Sequence, residues 1–452
     1  MPLSPPTARV YFRSLGCPKN RLDSEVMLGT LALGGYAIAE CLEDADVVVV
    51  NTCSFIESAR EESIEAILEV AGLRESGRLR GLVVAGCLPQ RYGAELAKEL
   101  PEVDAFVGTG HFQDITTILD DALAGRGRGV YVDAGRTHLY DEQDPRVLIG
   151  PSHSAYLKIS EGCDRICSFC AIPGIRGRFQ SRTVQSVLAE ARQLAEAGVR
   201  ELNLVAQDAT AFGKDTTGRP DLAALLRALD DVEGLDWIRQ LYLYPTAVTD
   251  ALIEVLGSGK RVLPYVDVPL QHASDRILKR MQRGATEARQ RALVERLRTG
   301  IPNLTLRTTF IVGFPGETDE DFEKLCDFVR EVRFDRVGVF RYSDEEGTTA
   351  FDLGEKVPRG VARARHRRLM GIQREIMREK LAAHVGTTLP VLVDEAGERP
   401  RGRLTSQAPE IDGVVFLKGA VRAGELLQAR VSCVRDVDLE AEVLRGEGRN
   451  AG

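Results

Sequence analysis

The sequence lacks any segment suited to crossing a membrane. No apolar run approaches the roughly 20 residues that a transmembrane helix needs, and the N-terminal stretch MPLSPPTARVYF has no apolar signal-peptide core. Repeats of solenoid period and low-complexity tracts are also absent. We therefore expect a globular, cytoplasmic protein with no membrane partner.

An excess of positive charge is missing as well. The formal net charge is −8 at pH 7, which weakly disfavours broad nucleic-acid binding but leaves room for a local basic patch. Hydrophobic residues make up 44% of the chain, enough to bury a core. A length of 452 residues is too great for one ordinary domain and suits two or three.

Residues 8–133 alternate short apolar runs with helical patterns. The runs are 10–14, 47–51, 82–85 and 105–107, and helical periodicity follows each of them. Alternation of this kind predicts an α/β domain whose parallel sheet carries helices on its faces.

The alternation resumes on a larger scale between residues 150 and 378. About six strand–helix units follow one another from 155 to 339, which favours a barrel or partial barrel with its site at the strand C-termini. Residues 386–446 change to short strands separated by turn glycines. This last pattern predicts a small all-β barrel or sandwich.

Three cysteines lie close together in the stretch EGCDRICSFCAIP. The spacing of Cys163, Cys167 and Cys170 is too tight for a zinc site built from two separated ligand pairs. Three thiolates can instead hold three irons of a [4Fe-4S] cluster and leave the fourth iron open to a small molecule. This arrangement resembles the radical S-adenosylmethionine (SAM) superfamily, in which an aromatic residue at the position of Phe169 packs beside the adenine of the cofactor. A zinc site or unrelated core thiols are the alternative.

A second set of cysteines is scattered along the N-terminal region. Cys17, Cys53 and Cys87 each lie just beyond the end of a predicted strand. Because consecutive strands of a parallel sheet end at the same edge, the three thiols can converge there. Three ordinary buried cysteines would give the same pattern, and the pattern alone does not decide between the two.

The motifs taken together resemble the radical SAM methylthiotransferase family over nearly the whole chain. They are SLGCPKN, NTCSFI, the Cx3CxxC stretch, AQD and IVGFPGET. The resemblance implies a methylthiotransferase domain at 8–133, a radical SAM domain at 150–378 and a TRAM-like β-domain at 386–446. It also implies that Cys17, Cys53 and Cys87 hold a second [4Fe-4S] cluster. Cys41, Cys326 and Cys433 match no motif.

The family chemistry assigns SAM two tasks. Cleavage of SAM at the first cluster would start hydrogen abstraction from the substrate, and a second SAM would methylate sulfur at the second cluster. Polar and glycine residues at barrel strand ends are candidate SAM contacts, namely Gln207, Asp208, Gln271 and Gly313. The alternative for each is an ordinary loop or core residue. GFPGET lacks the lysine of a phosphate-binding loop.

The substrate is suggested by the motif sequences and by the charge of the C-terminal region. SLGCPKN with CAIPGIRG resembles the ribosomal branch of the family, whose substrate is an aspartate of small-subunit protein S-12, whereas the tRNA branch differs right after Cys17. Residues 386–452 carry nine Lys or Arg against eleven Asp or Glu, which suits a basic protein partner better than RNA. A patch formed by Arg399, Arg401 and Arg403 could still touch RNA.

Two other functions remain open at this stage. One is a tRNA adenosine methylthiotransferase, although tRNA is the less favoured partner. The other is a non-catalytic iron–sulfur protein that binds RNA or the ribosome, which would have no need of the SAM-type cysteine spacing. The family resemblance further implies an electron donor such as flavodoxin or ferredoxin.

Overall fold

A computed structural model of the chain describes residues 8–126, 128–133, 135 and 138–444. Residues 127, 445 and 446, which belong to the predicted domains, lie outside the described residues. Among the residues that the structure describes, no helix is both long and apolar enough to span a bilayer.

The N-terminal unit is one parallel sheet covered by helices on both faces. Its strands are β1 (Arg9–Ser14), β2 (Ala37–Ile38), β3 (Val47–Thr52), β4 (Gly81–Gly86), β5 (Ala105–Val107) and β6 (Gly129–Tyr131), in the order β2-β1-β3-β4-β5-β6. Its helices are α1 (Pro18–Leu33), α2 (Glu57–Glu75), α3 (Cys87–Glu99) and α4 (Ile115–Leu123). Val47 and Val49 of β3 pack into the core beside α1 and α4, whereas Val48 and Val50 pack beside α2 on the opposite face.

The central unit is an open arc of parallel strands, as expected for a partial barrel. The strands are β7 (Ser154–Lys158), β8 (Ser160–Glu161), β9 (Gln180–Ser181), β10 (Glu201–Val205), β11 (Trp237–Gln240), β12 (Tyr265–Asp267), β13 (Thr305–Val312) and β14 (Arg336–Arg341). The arc runs β7-β10-β11, crosses by one parallel bridge between Ile238 and Val262, and continues β12-β13-β14. Strands β8 and β9 form a separate antiparallel pair.

Helices alternate with these strands, and most of them cover the outside of the arc. They are α5 (Ile172–Arg176), α6 (Val184–Glu196), α7 (Lys214–Thr217), α8 (Leu222–Asp230), α9 (Asp250–Ser258), α10 (Asp275–Arg280), α11 (Glu287–Gly300), α12 (Asp319–Val332) and α13 (Arg359–Ala382). The short α5 lies instead against α3 of the N-terminal unit. The largest apolar core of the molecule lies between the strands and this outer layer. The parallel arc leaves the loops after β7, β10, β11, β12, β13 and β14 at one rim, where a site is expected.

The C-terminal unit is a closed five-stranded barrel. Its strands are β15 (Thr388–Glu395), β16 (Arg401–Arg403), β17 (Val415–Lys418), β18 (Leu426–Arg435) and β19 (Asp438–Val443), in the order β15-β16-β17-β19-β18. Helix α13 joins this unit to the central one, since Leu369 and Ile376 pack in the central core and Leu381 packs in the core of the small barrel. The predicted domain limit at 378 therefore falls inside a helix. The predicted fold class is confirmed.

The RNA-contacting patch that the sequence left open loses one of its three arginines. Arg403 is buried and ion-paired with Glu201 Oε2 (2.7 Å) and Asp394 Oδ1 (2.8 Å). Burial of an arginine requires such partners, so Arg403 fastens the barrel to the central unit and is not available to a phosphate. Arg401 is exposed and pairs with Glu395.

Candidate functional site

The three N-terminal thiols lie on neighbouring loops at one edge of the first sheet. Cys17 follows β1 and caps α1, Cys53 directly follows β3, and Cys87 begins α3 directly after β4. Strands β1, β3 and β4 are adjacent in the sheet. All three thiols therefore occupy the carboxyl edge of a parallel sheet, where such folds bind ligands.

Glycines beside two of these cysteines allow the loops to meet. Gly16 has a φ of +89°, and a Cβ atom there would lie 2.6 Å from Cys53 Cβ and 3.2 Å from Cys53 Sγ. Gly86 has a φ of +101°, and a Cβ there would lie 2.4 Å from Asn51 Oδ1. Only glycine satisfies both the left-handed backbone and the close approach. The Gly-Cys pairs of the sequence carried this signal, and the sequence reasoning missed it.

Electrostatic interaction shows that the N-terminal thiols lie within reach of one another. The pKa of Cys53 is raised to about 12, chiefly by burial and in part by the neighbouring Cys87 and Cys17. Burial likewise raises the pKa of Cys87, although the nearby guanidinium of Arg176 acts to lower it. A bound cation would reverse this preference, because a thiolate and not a thiol is the metal ligand.

A buried charge network lies beneath these thiols. Arg176, from α5, is 3.4 Å from Cys87 Sγ through Nη2 and 2.7 Å from Asp23 Oδ2 through Nη1. Asp23 Oδ1 also accepts hydrogen bonds from Lys158 Nζ (2.8 Å) and Tyr140 Oη (2.9 Å). Burial alone would raise the pKa of Asp23, but Arg176 and Lys158 outweigh it and lower the pKa. The sequence analysis had not identified this network.

The second cysteine set lies on the loop between β8 and α5. Burial raises the pKa of Cys163 to about 11 and that of Cys170 to about 12, and in each case a neighbouring thiol of the set, Cys167, contributes. Arg283 Nη1 donates a hydrogen bond to Cys167 Sγ at 3.2 Å, and the backbone N–H of Arg165 donates to Cys163 Sγ at 3.4 Å. The loop thus gathers three thiols and supplies donors to two of their sulfurs.

No single-ion site is formed in the part of the chain that the structure describes. Among the described residues, no group of three His, Cys, Asp or Glu side chains is placed so that it could hold one metal ion. A [4Fe-4S] cluster differs from such a site because each thiolate binds a different iron.

Four of the candidate SAM contacts lie on barrel strand ends or on the cysteine loop. Gln207 donates to Glu161, and Asp208 pairs with Arg165 Nε at 2.7 Å. Gln271 has a φ of +73° just beyond β12. The half-buried Phe169 packs against an apolar cluster that includes Met281 and Phe314.

Two of these side chains carry unused acceptors. The amide oxygens Oε1 of Gln207 and of Gln271 are buried and have no hydrogen-bond partner among the described residues. Buried polar atoms are rarely left unpaired, so these oxygens are suited to a ligand with N–H or O–H donors.

Gly313, the remaining candidate SAM contact, lies against a helix. A Cβ atom there would be 2.6 Å from Ala362 Cβ of α13, and the φ of Gly313 is +76°. The glycine therefore allows α13 to approach the end of β13, and a contact with SAM stays a prediction.

Three family models match consecutive parts of the chain. They are described as Uncharacterized protein family UPF0004, over residues 9–108, Radical SAM superfamily, over residues 157–329, and TRAM domain, over residues 385–444.

Curated relatives match the chain almost end to end. A "Ribosomal protein uS12 methylthiotransferase RimO" of Sorangium cellulosum (strain So ce56) is 50% identical over 98% of this chain and 93% of the relative. A protein of the same name from Anaeromyxobacter sp. (strain Fw109-5) is 49% identical over 98% of this chain and 95% of the relative.

Solved structures show a likeness of fold. The radical S-adenosylmethionine methyltransferase TsrM from Kitasatospora setae, with tryptophan substrate and a SAM analog bound, superposes with a TM-score of 0.53. The alignment covers 74% of this chain and 72% of that chain at 16% identity, so it bears on the fold alone.

Proposed function

The chain belongs to the family of ribosomal protein uS12 methylthiotransferases, and from this premise we propose that it converts a C–H bond of an aspartate in uS12 to C–SCH3. The observation that carries the proposal is the pair of cysteine triads. Cys17, Cys53 and Cys87 lie at the carboxyl edge of the first sheet, and Cys163, Cys167 and Cys170 lie on a loop of the partial barrel.

We assign one [4Fe-4S] cluster to each triad. Cys163, Cys167 and Cys170 would hold the first, and Cys17, Cys53 and Cys87 would hold the second. The donor set fits, because each set offers three neighbouring thiols. Burial raises the pKa of Cys53, Cys163 and Cys170, and a bound cation would favour the thiolate form that binds iron. When bound, the clusters and SAM supply electron transfer, hydrogen abstraction and the methylthio group.

The protein's own residues supply hydrogen bonds to these groups. Arg176 and Arg283 place guanidinium donors on Cys87 Sγ and Cys167 Sγ, which stabilises negative charge on the ligand sulfurs. We propose that the unpaired oxygens of Gln207 and Gln271 accept hydrogen bonds from SAM. Asp208, Phe169 and Gly313 are further proposed contacts on the same rim.

The choice of uS12 over tRNA rests on the relatives' names and on charge. The tRNA alternative loses a cation of its candidate RNA patch, because Arg403 is buried in ion pairs. Modification of a ribosomal protein also makes a cytoplasmic location and a flavodoxin- or ferredoxin-type electron donor the natural expectations, and both stay predictions.

The test compares the wild type with the triple Cys17/Cys53/Cys87→Ala variant after anaerobic reconstitution. Iron and acid-labile sulfide are counted, and modification of uS12 and of tRNA is measured by mass spectrometry together with 5′-deoxyadenosine release. We expect two clusters and modified uS12 for the wild type. The triple variant should hold one cluster, cleave SAM and leave uS12 unmodified.

Cys41→Ala is the matched control, because Cys41 is an exposed cysteine of the same domain outside the triad. It should retain both clusters and the activity. Equal iron content in the wild type and the triple variant would show that the N-terminal cysteines bind no cluster. Modified tRNA with unmodified uS12 would transfer the function to the tRNA branch.

A further inference from the structure

Lys19 reaches from the N-terminal thiol loop to the rim of the barrel. It is half-buried, lies two residues after Cys17, and places Nζ 3.3 Å from the centroid of the Tyr242 ring. Tyr242 follows β11 at the carboxyl end of the parallel strands and has a φ of +63°. The ammonium group therefore lies where the first sheet and the barrel rim meet, next to a thiol that we assign to the second cluster.

The carboxylates near Lys19 already have other partners. The charged groups that act on Lys19 are Cys17, Arg176, Asp267 and Glu161. Asp267 Oδ1 accepts from Arg307 Nη1 at 2.8 Å, and its Oδ2 accepts from the backbone N–H of Tyr242 at 3.2 Å.

Glu161 is similarly occupied. Its Oε2 accepts from Lys158 Nζ at 2.6 Å and lies 3.5 Å from Arg176 Nη1, and its Oε1 accepts from the Gln207 amide. Within residues 8–126, 128–133, 135 and 138–444, no Asp or Glu lies within ion-pair distance of Lys19. An aromatic face is then its closest stabilising partner.

The neighbouring cations are in the opposite situation. Lys158 contacts two carboxylates, those of Asp23 and Glu161, and Arg176 contacts the same two. Their charges are neutralised by carboxylates within the protein, so an incoming anion would have to displace one of these partners. Unlike Lys158 and Arg176, Lys19 can be neutralised by an incoming carboxylate without the loss of a buried ion pair.

We propose that Lys19 binds the side-chain carboxylate of the substrate aspartate and selects that residue for methylthiolation. The inference rests on the proposed function, in which an aspartate of uS12 receives the methylthio group. The carboxylate adjoins the carbon that is modified, so holding it next to Cys17 positions that carbon. Asparagine and an adenine base lack the negative charge, and Lys19 therefore distinguishes this substrate from both.

The test uses the reconstituted full-length protein and two fluorescent peptides from uS12 that differ only in Asp or Asn at the target position. Binding is measured by fluorescence anisotropy, and kcat and KM are measured for methylthiolation. The wild type should bind the Asp peptide at least about tenfold more tightly, as loss of a charged hydrogen bond predicts. Lys19→Met should bind both peptides equally, and Lys19→Arg should keep the preference.

Lys324→Met is the control, because Lys324 is a half-exposed lysine of α12 that pairs with Glu287 away from the rim. It should retain the wild-type preference. A Lys19→Met protein that holds both clusters and still prefers the Asp peptide overturns the proposal and makes Lys19 a structural or cluster-facing residue. If Lys19→Met loses a cluster, Lys19→Gln is measured in its place with the same two outcomes.

Failure of the proposed function is recognised separately in these experiments. If the wild type leaves intact uS12 unmodified while cleaving SAM, the substrate assignment is wrong and the role of Lys19 falls with it. If the wild type modifies uS12 and the Lys19 variants keep the Asp preference, only the role of Lys19 is wrong.

Discussion

Arg176 is a single side chain that contacts both halves of the candidate site. It follows the second cysteine set by a few residues, yet its guanidinium lies 3.4 Å from Cys87 Sγ and 3.5 Å from Glu161 Oε2. Its strongest contact is the 2.7 Å ion pair with Asp23 of α1. A buried guanidinium with several acceptors holds them in a fixed relative arrangement, so Arg176 orders the two thiol loops relative to each other.

Replacement of Arg176 by Met should therefore destabilise the cluster-free protein by about 3 kcal/mol. Removal of one member of a buried ion pair usually costs about 3–5 kcal/mol, and the loss is at the lower end because Lys158 still pairs with Asp23. Urea unfolding at pH 7 measures the change. Arg178→Met, at an 89% exposed side chain two residues away, is the control. Equal midpoints for the two variants would show that the buried network contributes nothing to stability.

The local pattern of the sequence indicates only part of the candidate site. The Cx3CxxC loop is marked by its spacing. For the scattered Cys17, Cys53 and Cys87, the rule that parallel strands end at one edge allows the thiols to converge, but only the family resemblance favoured a cluster over ordinary buried cysteines. Arg176 and Asp23 gave no such signal, because an ion pair between positions about 150 residues apart has no local pattern. Their pairing depends on how the barrel docks against the first sheet.

At the scale of elements, helix α1 is held against the segment that leads into the barrel. A Cβ atom at Gly29 of α1 would lie 2.4 Å from both C and O of Pro145 and 2.5 Å from the backbone N of Arg146. These neighbours are backbone atoms, which cannot move aside as a flexible side chain can. The glycine thus permits a helix-to-chain approach that any larger residue would prevent.

Gly29→Ala should lower the free energy of unfolding by about 1–3 kcal/mol, the usual range for overpacking, although alanine is the better helix former. Gly72→Ala in α2 is the matched control, since a Cβ there meets nothing within 4 Å. That variant should gain roughly 0.5–1 kcal/mol from helix propensity. Urea unfolding of both variants measures the opposite signs, and stabilisation by Gly29→Ala would contradict the close approach.

Most of the runs that the sequence predicts as strands match observed strands to within about two residues, because buried apolar side chains specify them. The sequence also predicts a strand over 262–268, of which only Tyr265–Asp267 is a strand. Pro264 has no N–H to donate to a ladder, and the residues before it form a single bridge to Ile238. The sequence pattern predicts a helix over 91–99, but α3 begins earlier, at Cys87, because the chain turns at Gly86 immediately after β4. The pattern does not anticipate the short strands β2, β6, β8, β9, β16 and β19.

At the scale of the whole molecule, buried ion pairs fasten three separate cores together. Asp23 with Lys158 and Arg176 joins the first sheet to the partial barrel. Glu201 of β10 joins the partial barrel to the small one, since it pairs with Arg403 at 2.7 Å and with Arg239 at 3.2 Å. A buried ion pair requires a particular geometry. These pairs therefore constrain the relative orientation of the units in addition to holding them in contact.

The sequence predicted each unit but not these junctions. Periodicity and turn residues are properties of a single stretch of chain, whereas the partner of Arg403 is about 200 residues away. The net charge of residues 386–452 treated Arg403 as an exposed cation, and burial removed it from that surface. A count of charged residues therefore overestimates the number of exposed cations wherever arginines form ion pairs at a domain interface.

Glu201 gives the last prediction, because its charge depends on the docked small barrel. Burial alone would raise the pKa of Glu201, but Arg403 and Arg239 outweigh it and lower the pKa to about 2. The ordinary value for glutamate is about 4.3. Since the folded pKa is the lower one, the stabilisation is fully present above about pH 4.3 and is lost as the pH falls towards 2. Glu201→Gln should cost about 3 kcal/mol at pH 7 for a shift of this size.

The sole tryptophan of the chain, Trp237, provides the measurement, because it is buried in the cluster that also holds Leu392 and Ala408 of the small barrel. Urea unfolding followed by its fluorescence should give a difference between wild type and Glu201→Gln that is constant from pH 8 to 5 and narrows below about pH 4.3. Glu395→Gln, at an exposed pair with Arg401 on the same barrel, should leave stability essentially unchanged. If the wild type instead gained stability relative to Glu201→Gln on acidification, Glu201 would be protonated in the folded protein, and its ion pair with Arg403 would not stabilise the junction.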